Sequence, residues 1–330
     1  MNYKFLGKTG VKVSSLCFGT MSFGGDADEA ESGAMFRACR EAGVNFFDCA
    51  NLYGGGRSEE ILGRLIKDCR EEMVITSKAY FATSKDVNAM GASRRHLLYA
   101  VEASLRRLAT DRIDIYFIHR FDDRTPLEET LRTLDDLVRW GKILYPAVSN
   151  FAAWQVAKAL GISAAQGLAP LACLQPMYNL VKRQAEVEIL PMALAENLGV
   201  IPYSPLGGGL LSGKYGAGKA PAEGRLTTHP IYKTRYGDEM NYHVAGRFGD
   251  FARERGFDPV SLAVAWVGSH PAVTAPIIGA RNVGQLRPSL AAADLAMTAE
   301  LRAEISALSP EPPPATDRSE ERTALTFGVR

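Results

Sequence analysis

Short apolar runs and longer amphipathic stretches alternate along almost the whole chain. The runs are apolar throughout, as in 113–119, which is typical of strands that are buried on both faces of a sheet. The stretches between them, such as 93–109, carry apolar residues at helical spacing. The pattern predicts eight strands, at 14–20, 45–50, 73–80, 113–119, 143–150, 171–175, 200–206 and 273–280. It predicts helices at 28–43, 58–70, 93–109, 125–142, 151–164, 184–198, 241–256, 258–269, 283–292 and 298–308.

Eight units of strand followed by helix predict a parallel sheet with helical crossovers. At roughly 30 residues per unit, they account for the ~250 residues of a (β/α)8 TIM barrel, whose active site lies at the C-terminal ends of the strands. We therefore predict an α/β chain with one barrel domain over 1–309, a long Gly-rich loop at about 207–240 and an extra C-terminal helix. The last segment, 310–330, is rich in proline and charge and is predicted to be a mobile tail.

An open doubly wound sheet is the alternative architecture for the same pattern. It would normally carry a G-x-G-x-x-G turn after its first strand. The segment CFGTMSFGG at 17–25 lacks that spacing, and so does the glycine run at 54–56 after the second predicted strand. Pro146 lies inside the fifth predicted strand, where it cannot donate a ladder hydrogen bond, so we expect a local irregularity there.

Composition and charge narrow the function classes. The 330 residues carry 38 Lys and Arg against 37 Asp and Glu, a balance that leaves no general field to attract nucleic acid or a membrane surface. No apolar run approaches the roughly 18 residues of a membrane-spanning helix, and MNYKFLGKTG lacks the apolar core of a secretory signal. The cysteines form neither a CxxC pair nor a metal-ligand spacing; they are Cys17, Cys39, Cys49, Cys69 and Cys173. We therefore predict a cytoplasmic protein with no metal and no nucleic-acid or membrane partner, whose partner is a small molecule.

Polar side chains stand at the carboxyl ends of consecutive predicted strands. In a parallel barrel these ends meet on one face, where active sites lie. Successive positions are about one strand-helix unit apart along the chain, so the residues share one ring. The ring consists of Asp48, Lys78, His119, Ser149, Asn150, Gln175, Tyr203 and Ser204, and Tyr53 follows Asp48 by five positions.

A single Asp or Lys at a strand end is more often a cap or a surface charge, and a single histidine there is more often structural. The combination of these residues on one face of the barrel predicts a catalytic site. Asp48 and Lys78 come from neighbouring strands and can form a buried ion pair. A tyrosine beside this ammonium and the imidazole of His119 would have its pKa lowered from about 10. Such a phenol can donate a proton to a carbonyl oxygen near neutral pH.

Several short motifs, in this order, resemble the aldo-keto reductases. FFDCANLYG, TSKAY and IDIYFIH coincide with the strand ends described above. The resemblance covers about residues 3–308 and includes VSN, QPMYN, YSPLGGGLLSGKY and IIGARNVGQL. It implies reversible hydride transfer between a nicotinamide and a carbonyl or alcohol substrate, such as an aldehyde, a ketone or a sugar-derived alcohol. It also implies a dinucleotide that lies extended across the barrel without a G-x-G-x-x-G turn.

The resemblance implies a catalytic tetrad at the residues of the ring. Tyr53 would be the general acid in reduction and the base in oxidation. Lys78 would lower the pKa of Tyr53, and Asp48 would hold Lys78. His119 would orient the substrate carbonyl.

The resemblance also implies where the cofactor binds. The implied contacts are Gly19, Thr20, Met21, Asp48, Ser149, Asn150, Gln175, Tyr203, Ser204, Leu206, Gly207, Lys214, Gly279, Arg281 and Gln285. Ser149, Asn150 and Gln175 would hold the nicotinamide amide, and Tyr203 would stack on its ring. Arg281 would bind the adenosine 2′-phosphate, so NADPH or NADP+ is expected rather than NADH.

Other positions are less specific. Pro288 and Ser289 stand where relatives often carry Glu and Asn against the adenine, so the adenine contacts differ here. Phe81 and Phe121 closely follow catalytic strands and are candidates for the substrate pocket. The segment 207–240 could be a clamp over the cofactor or substrate, a solvated loop or an oligomer contact. Its basic and aromatic residues include Tyr215, Lys219, Arg225, Tyr232, Lys233, Arg235 and Tyr236.

Three functions are consistent with these residues. The first is an NADPH-dependent carbonyl reductase. The second is a Schiff-base barrel enzyme with Lys78 as its nucleophile. The third is a cofactor-binding regulatory partner protein, like the potassium-channel β subunits that share the fold of the aldo-keto reductases. The amide-binding set around Gln175 argues against the second, and His119 within a complete tetrad favours the first over the third.

Overall fold

The computed structural model describes residues 1–218, 221 and 224–316. Its strands are β1 Tyr3–Phe5, β2 Lys12–Ser14, β3 Cys17–Gly19, β4 Phe46–Asp48, β5 Val74–Ala79, β6 Ile113–Ile118, β7 Ile143–Ser149, β8 Cys173–Gln175, β9 Gly199–Val200 and β10 Ile277–Ile278. Its α-helices are α1 Glu29–Glu41, α2 Arg57–Ile66, α3 Arg94–Leu108, α4 Leu127–Arg139, α5 Ala153–Gln166, α6 Ile189–Ala195, α7 Arg225–Thr228, α8 Pro230–Tyr236, α9 Glu239–Glu254, α10 Pro259–Gly268, α11 Val283–Ala291 and α12 Ala299–Ser306. Short 3₁₀ turns lie at Tyr53–Gly56, Arg70–Glu72, Gln184–Glu186, Gly207–Gly209 and Ala292–Asp294.

Strands β3 to β10 form one parallel sheet, in the order β10-β3-β4-β5-β6-β7-β8-β9. The two outer strands of this order also meet. Thr274 N donates to Val200 O at 2.9 Å, and Ile277 N donates to Pro202 O at 2.9 Å. The sheet therefore closes on itself, and the predicted (β/α)8 barrel is confirmed.

Two apolar cores lie on the two faces of the barrel wall. The outer core, between the sheet and the helices, includes Ile75 of β5, Tyr116 of β6 and Leu97 of α3. The inner core fills the barrel with Cys17, Phe46, Ile115, Phe117, Ala147, Cys173, Ile201, Ala275 and Ile277. Because both faces are buried, the strands are apolar throughout, as the sequence pattern indicated.

An antiparallel hairpin of β1 and β2 closes the amino end of the barrel. Its residues Leu6 and Val13 are fully buried in the inner core. Gly7 has a φ of +53°, and a Cβ there would lie 2.5 Å from the backbone nitrogen of Gly199, the first residue of β9. The apolar pattern does not predict this hairpin, because all three residues of β1 are exposed and form no buried apolar run.

Three local expectations differ from the structure. The segment 207–240 carries α7 and α8, which the pattern read as loop. The helix expected at 184–198 is shorter, since a 3₁₀ turn precedes α6. The irregularity expected at Pro146 is wrong, because β7 runs in unbroken register and Pro146 O still accepts from Ala172 N at 2.9 Å.

The predicted tail lies mostly outside the described part of the chain. Residues 310–316 are described and form neither helix nor strand, whereas 317–330 lie outside the described residues. The extra C-terminal helix is α12. None of the helices in the described ranges is long and apolar enough to cross a membrane.

Candidate active site

The candidate site lies one step above the inner core, at the carboxyl ends of the strands. Side chains alternate along a strand, so Phe46 and Asp48 of β4 face the same way, and so do Cys173 and Gln175 of β8. Each such pair places an apolar residue in the core and a polar one above it. The predicted ring is therefore a layer of the barrel interior that rests on packed side chains.

A buried ion pair forms the floor of this layer. Lys78 Nζ donates to Asp48 Oδ1 at 2.7 Å, to Asp48 Oδ2 at 2.6 Å and to Cys49 O at 2.7 Å. Asp48 Oδ1 also accepts from Thr76 Oγ1 at 2.7 Å and from Gln175 Nε2 at 2.8 Å. Lys78 is fully buried, and these partners offset the loss of water around both charges.

Tyr53 and His119 stand beside the ion pair. Tyr53 begins the 3₁₀ turn after β4, and Lys78 Nζ lies 5.2 Å from the centre of its ring. The ring centres of Tyr53 and His119 are 6.2 Å apart, and the ring of Phe81 is 5.1 Å from that of His119. The structure thus brings the four predicted catalytic residues together, with Phe81 as their aromatic neighbour.

The expected lowering of the Tyr53 pKa is wrong for this state of the protein. Burial raises the pKa of Tyr53 to about 12, and the opposing charge of Lys78 is the smaller effect. Burial, with Lys78 next, lowers the pKa of His119 to about 3. His119 is therefore neutral near pH 7 and does not add the positive charge that the sequence argument assumed.

The residues predicted to hold the nicotinamide amide form one hydrogen-bonded chain. Tyr203 OH donates to Asn150 Oδ1 at 2.8 Å, and Asn150 Nδ2 donates to Ser149 Oγ at 3.0 Å and to His119 O at 2.9 Å. Ser149 Oγ donates to Gln175 O at 2.9 Å. These bonds tie β7, β8 and the segment after β9 to His119.

A cavity of about 1300 Å³ runs from these residues toward the loops after β9 and β10. The predicted residues that line it are Gly19, Met21, Asp48, Tyr53, Phe81, His119, Ser149, Asn150, Gln175, Tyr203, Ser204, Leu206, Lys214, Gly279, Arg281 and Gln285. Pro288 and Ser289 line it as well.

Four predicted site residues are not among the described residues that line this cavity. Lys78 is covered by its partners, and Thr20 is buried and donates to Asp48 O at 3.1 Å. Gly207 is buried in its turn. Phe121 packs against Phe151 at 5.1 Å between ring centres, outside the set of described residues that line the cavity.

The far end of the cavity carries Arg281, on the loop after β10, and Arg225, the first residue of α7. Arg281 Nε lies 3.1 Å from Asp26 Oδ2, and Arg225 Nη2 lies 3.5 Å from the same oxygen. Gln285 Oε1 accepts from Arg281 N at 3.2 Å. Asp26 thus joins the loops after β3, β9 and β10, a role for which nothing in the sequence gave a signal.

Part of the 207–240 segment lies against the cavity. Tyr232 and Arg235 of α8 line it, while Tyr236 is buried. Gly208 has a φ of +69°, and a Cβ there would lie 2.6 Å from the ring of Tyr232, so α8 sits directly on the Gly207–Gly209 turn. Lys219 lies outside the described residues.

Sequence reasoning missed other lining residues. They include Ser22, Arg120, Ser212, Asp258 and Asn282. Arg120 directly follows His119, which was the available signal for it. In the described ranges, no group of three or more His, Cys, Asp or Glu side chains is placed to hold a metal ion.

The sequence model that describes the Aldo/keto reductase family matches residues 15–310 of this chain. The chain belongs to the aldo-keto reductase family. This aldo-keto reductase is 36% identical over 323 residues to an uncharacterized oxidoreductase, YrpG, of Bacillus subtilis, with 94% of this chain and 97% of that protein covered. It is 34% identical over 326 residues to a probable voltage-gated potassium channel subunit beta of Oryza sativa, with 96% and 99% covered. It is also 31% identical over 326 residues to the versiconal hemiacetal acetate reductase of Aspergillus parasiticus, with 91% and 94% covered.

Proposed function

We propose that this aldo-keto reductase uses NADPH to reduce an aldehyde, a ketone or a sugar-derived carbonyl, reversibly, with Tyr53 as the general acid and base. One observation carries the proposal. The buried pair of Asp48 and Lys78 lies beside Tyr53 and His119, at one end of a cavity whose other end carries Arg281. The groups that would donate the proton, orient the carbonyl and bind an anion thus share one cavity, which supports the proposal. Two Aspergillus relatives with reductase names support the same reaction class.

The residues present fit a nicotinamide dinucleotide. Ser149, Asn150 and Gln175 offer hydroxyl and amide groups to a carboxamide, and Tyr203 offers a ring for stacking. Lys214 and Arg281 would hold phosphates at the other end, and the guanidinium of Arg281 suits a 2′-phosphate. The cofactor would supply the hydride when bound.

The protein's own groups would handle the proton. Because its pKa is about 12, Tyr53 is protonated at neutral pH and is ready to donate to a carbonyl oxygen. Lys78 would stabilise the phenolate that then develops, and Asp48 holds the ammonium in place. His119 lines the cavity, and the N–H of its neutral imidazole would donate to the substrate oxygen.

The Schiff-base alternative fits the geometry poorly. Burial is the largest single effect and opposes the charged form of Lys78, but Asp48, Tyr53 and Cys49 together outweigh it, and the pKa of Lys78 is raised. An amine nucleophile must be unprotonated, and Lys78 has three oxygen atoms within 2.7 Å. Lys78 therefore acts best as a permanent cation.

The test is a panel of aldehydes, ketones and sugar alcohols, followed at the NADPH absorbance. Tyr53→Phe is expected to lower kcat by about 100-fold or more, because it removes the general acid. NADPH binding, measured by fluorescence, should be retained. Tyr99→Phe is the matched control, since Tyr99 is an exposed tyrosine of α3. Near-normal turnover by Tyr53→Phe would show that another group is the acid.

A cofactor-binding partner protein is the second candidate. The relatives from Oryza sativa and Arabidopsis thaliana named as probable voltage-gated potassium channel subunits beta are 34% and 36% identical to this chain. Size exclusion with and without NADPH, together with a partner pull-down, tests it. Stable capture of a partner by a protein that shows no turnover on the panel would favour it.

We also propose a cytoplasmic location. All five cysteines are free thiols, and four of them are buried. A reducing compartment keeps such thiols unpaired.

A further inference from the structure

Gln175 spans the barrel interior between the nicotinamide-binding chain and the catalytic ion pair. Its Nε2 donates to Asp48 Oδ1 at 2.8 Å, from β8 across to β4. Its backbone oxygen accepts from Ser149 Oγ at 2.9 Å. Gln175 is 3% exposed, and the exposed part faces the cavity. One side chain thus touches both the floor of the site and the cavity above it.

The contact with Asp48 decides which way the Gln175 amide points. A carboxylate accepts hydrogen bonds and does not donate them, so the NH₂ group of Gln175 must face Asp48. Within the described residues, no donor reaches Gln175 Oε1. The amide oxygen is therefore available to the cavity as an acceptor.

Resting on the proposed function, we propose that Gln175 is a positioning residue that couples the cofactor carboxamide to the Asp48–Lys78 pair. Its oxygen would accept from the carboxamide NH₂ while its nitrogen holds Asp48 Oδ1. The cofactor carboxamide, Gln175 and the Asp48–Lys78 pair beside Tyr53 would then form one hydrogen-bonded unit.

The coupling has a defined direction. Asp48 Oδ1 takes three donors, from Lys78, Thr76 and Gln175, and each donor offsets part of the carboxylate charge. Loss of one donor leaves Asp48 more negative, so the net field at Tyr53 becomes less positive. The phenolate is then less stable, and the proton leaves Tyr53 at a higher pH.

Other titrating groups around the pair do not confuse this signal. The thiols that face it are Cys17 of β3, Cys49 next to Asp48, and Cys173 of β8. Burial raises the pKa of all three. Burial lowers the pKa of His119 to about 3. These groups keep one protonation state between about pH 5 and pH 9. The positive nicotinamide of bound NADP+ would lower the pKa of Tyr53 from about 12 toward this window, so a shift seen with NADP+ reports on Tyr53.

Three variants of the full chain separate the two contacts of Gln175. Gln175→Met keeps the length and removes both the donor and the acceptor. Thr76→Val removes another donor to Asp48 Oδ1 without touching the cavity, since Thr76 is fully buried. Ser149→Ala removes a predicted carboxamide partner and leaves every donor to Asp48 in place.

Two measurements are made on each variant. The first is the pH dependence of kcat/KM for alcohol oxidation with NADP+. The second, which needs no substrate, is the ratio of dissociation constants for NADP+ and its acetylpyridine analogue, in which a methyl ketone replaces the amide. Gln175→Met should move the alkaline pKa up by about 0.5 to 1 pH unit and bring the ratio close to one. Thr76→Val should move only the pKa, and Ser149→Ala should weaken NADP+ binding without moving the pKa.

The outcomes distinguish this inference from the proposed function. A wild-type protein that neither binds NADP+ nor turns over would overturn the proposed function. With an active wild type, an unmoved pKa in both Gln175→Met and Thr76→Val overturns the coupling. Equal wild-type binding of NADP+ and its analogue overturns it as well. If Gln175→Met does not fold, Thr76→Val and the wild-type ratio still decide.

Discussion

The two ends of the cavity hold their charges in opposite ways. At the end proposed to be catalytic, the side chains of Asp48 and Lys78 are 3% and 0% exposed, and both come from strands. At the end proposed to bind the cofactor phosphates, called the phosphate end below, the side chains of Asp26 and Arg281 are 49% and 41% exposed, and both come from loops. The first pair is buried and fully hydrogen-bonded without a ligand. The second pair is about half exposed, and under the proposed function Arg281 would exchange Asp26 for a phosphate.

This difference is consistent with what each end would do under the proposed function. Proton transfer needs fixed distances, so its groups rest on the packed inner core of the barrel. Dinucleotide binding needs entry and release, so its cations sit on connections that tolerate movement. An exposed ion pair contributes little to folding, whereas a buried one becomes a large liability once a partner is removed.

The largest expected effect is at the catalytic end. Lys78→Met leaves Asp48 buried without its counter-charge, so we expect the free energy of unfolding to fall by about 3–5 kcal/mol. Lys142→Met is the matched control, because Lys142 makes an exposed pair with Glu102 at 3.1 Å. The control should change stability by less than about 1 kcal/mol in urea unfolding. Similar losses in the two variants would remove the contrast between buried and exposed pairs.

A second effect concerns pH. The pKa of His119 is about 3 in the folded protein, against about 6.5 when unfolded, because burial and then Lys78 disfavour its charged form. The unfolded chain therefore binds the extra proton first. The contribution of neutral His119 to the free energy of unfolding is complete above about pH 6.5. It is lost as the pH falls toward 3, by about 1 kcal/mol per pH unit.

His119→Asn isolates this contribution. The difference in unfolding free energy between wild type and variant should shrink steadily as the pH falls through that window. His243→Asn provides the comparison, since His243 is exposed on α9 and faces only Glu239. A pH-independent difference for His119→Asn would show that the histidine is not kept neutral by burial.

The smallest effect on stability is expected at the phosphate end. Arg281→Ala should change the free energy of unfolding by less than about 1 kcal/mol, because its pair with Asp26 is half exposed. It should nevertheless weaken NADPH binding about 10-fold or more, and NADH binding much less, because a charge-assisted bond to the 2′-phosphate is lost. Fluorescence titration with both cofactors measures this. Arg253→Ala, at an exposed pair with Asp250, should leave both dissociation constants unchanged.

Much of the architecture could be predicted from the chain. Continuous apolar runs predict the strands, because both faces of the barrel wall are buried, and apolar residues at a period of 3.6 predict the helices between them. The hairpin of β1 and β2 was not predicted because its first strand is exposed. The irregularity predicted at Pro146 is absent from β7 because only the proline nitrogen lacks a partner. Both errors come from contacts between segments that are far apart in the sequence.

The sequence by itself determined the strand ends, and with them the ring that contains Asp48, Lys78 and His119. Each strand-helix unit contributes one strand end to the same face of the barrel, so spacing along the chain specifies position around the ring. Only the tertiary structure decided the sign of the Tyr53 pKa shift, because burial outweighs a neighbouring ammonium. It alone decided that Gln175 reaches Asp48 across 127 residues of chain and that Asp26 joins three loops. Desolvation and contact across the barrel depend on how the chain closes, and local patterning does not encode them.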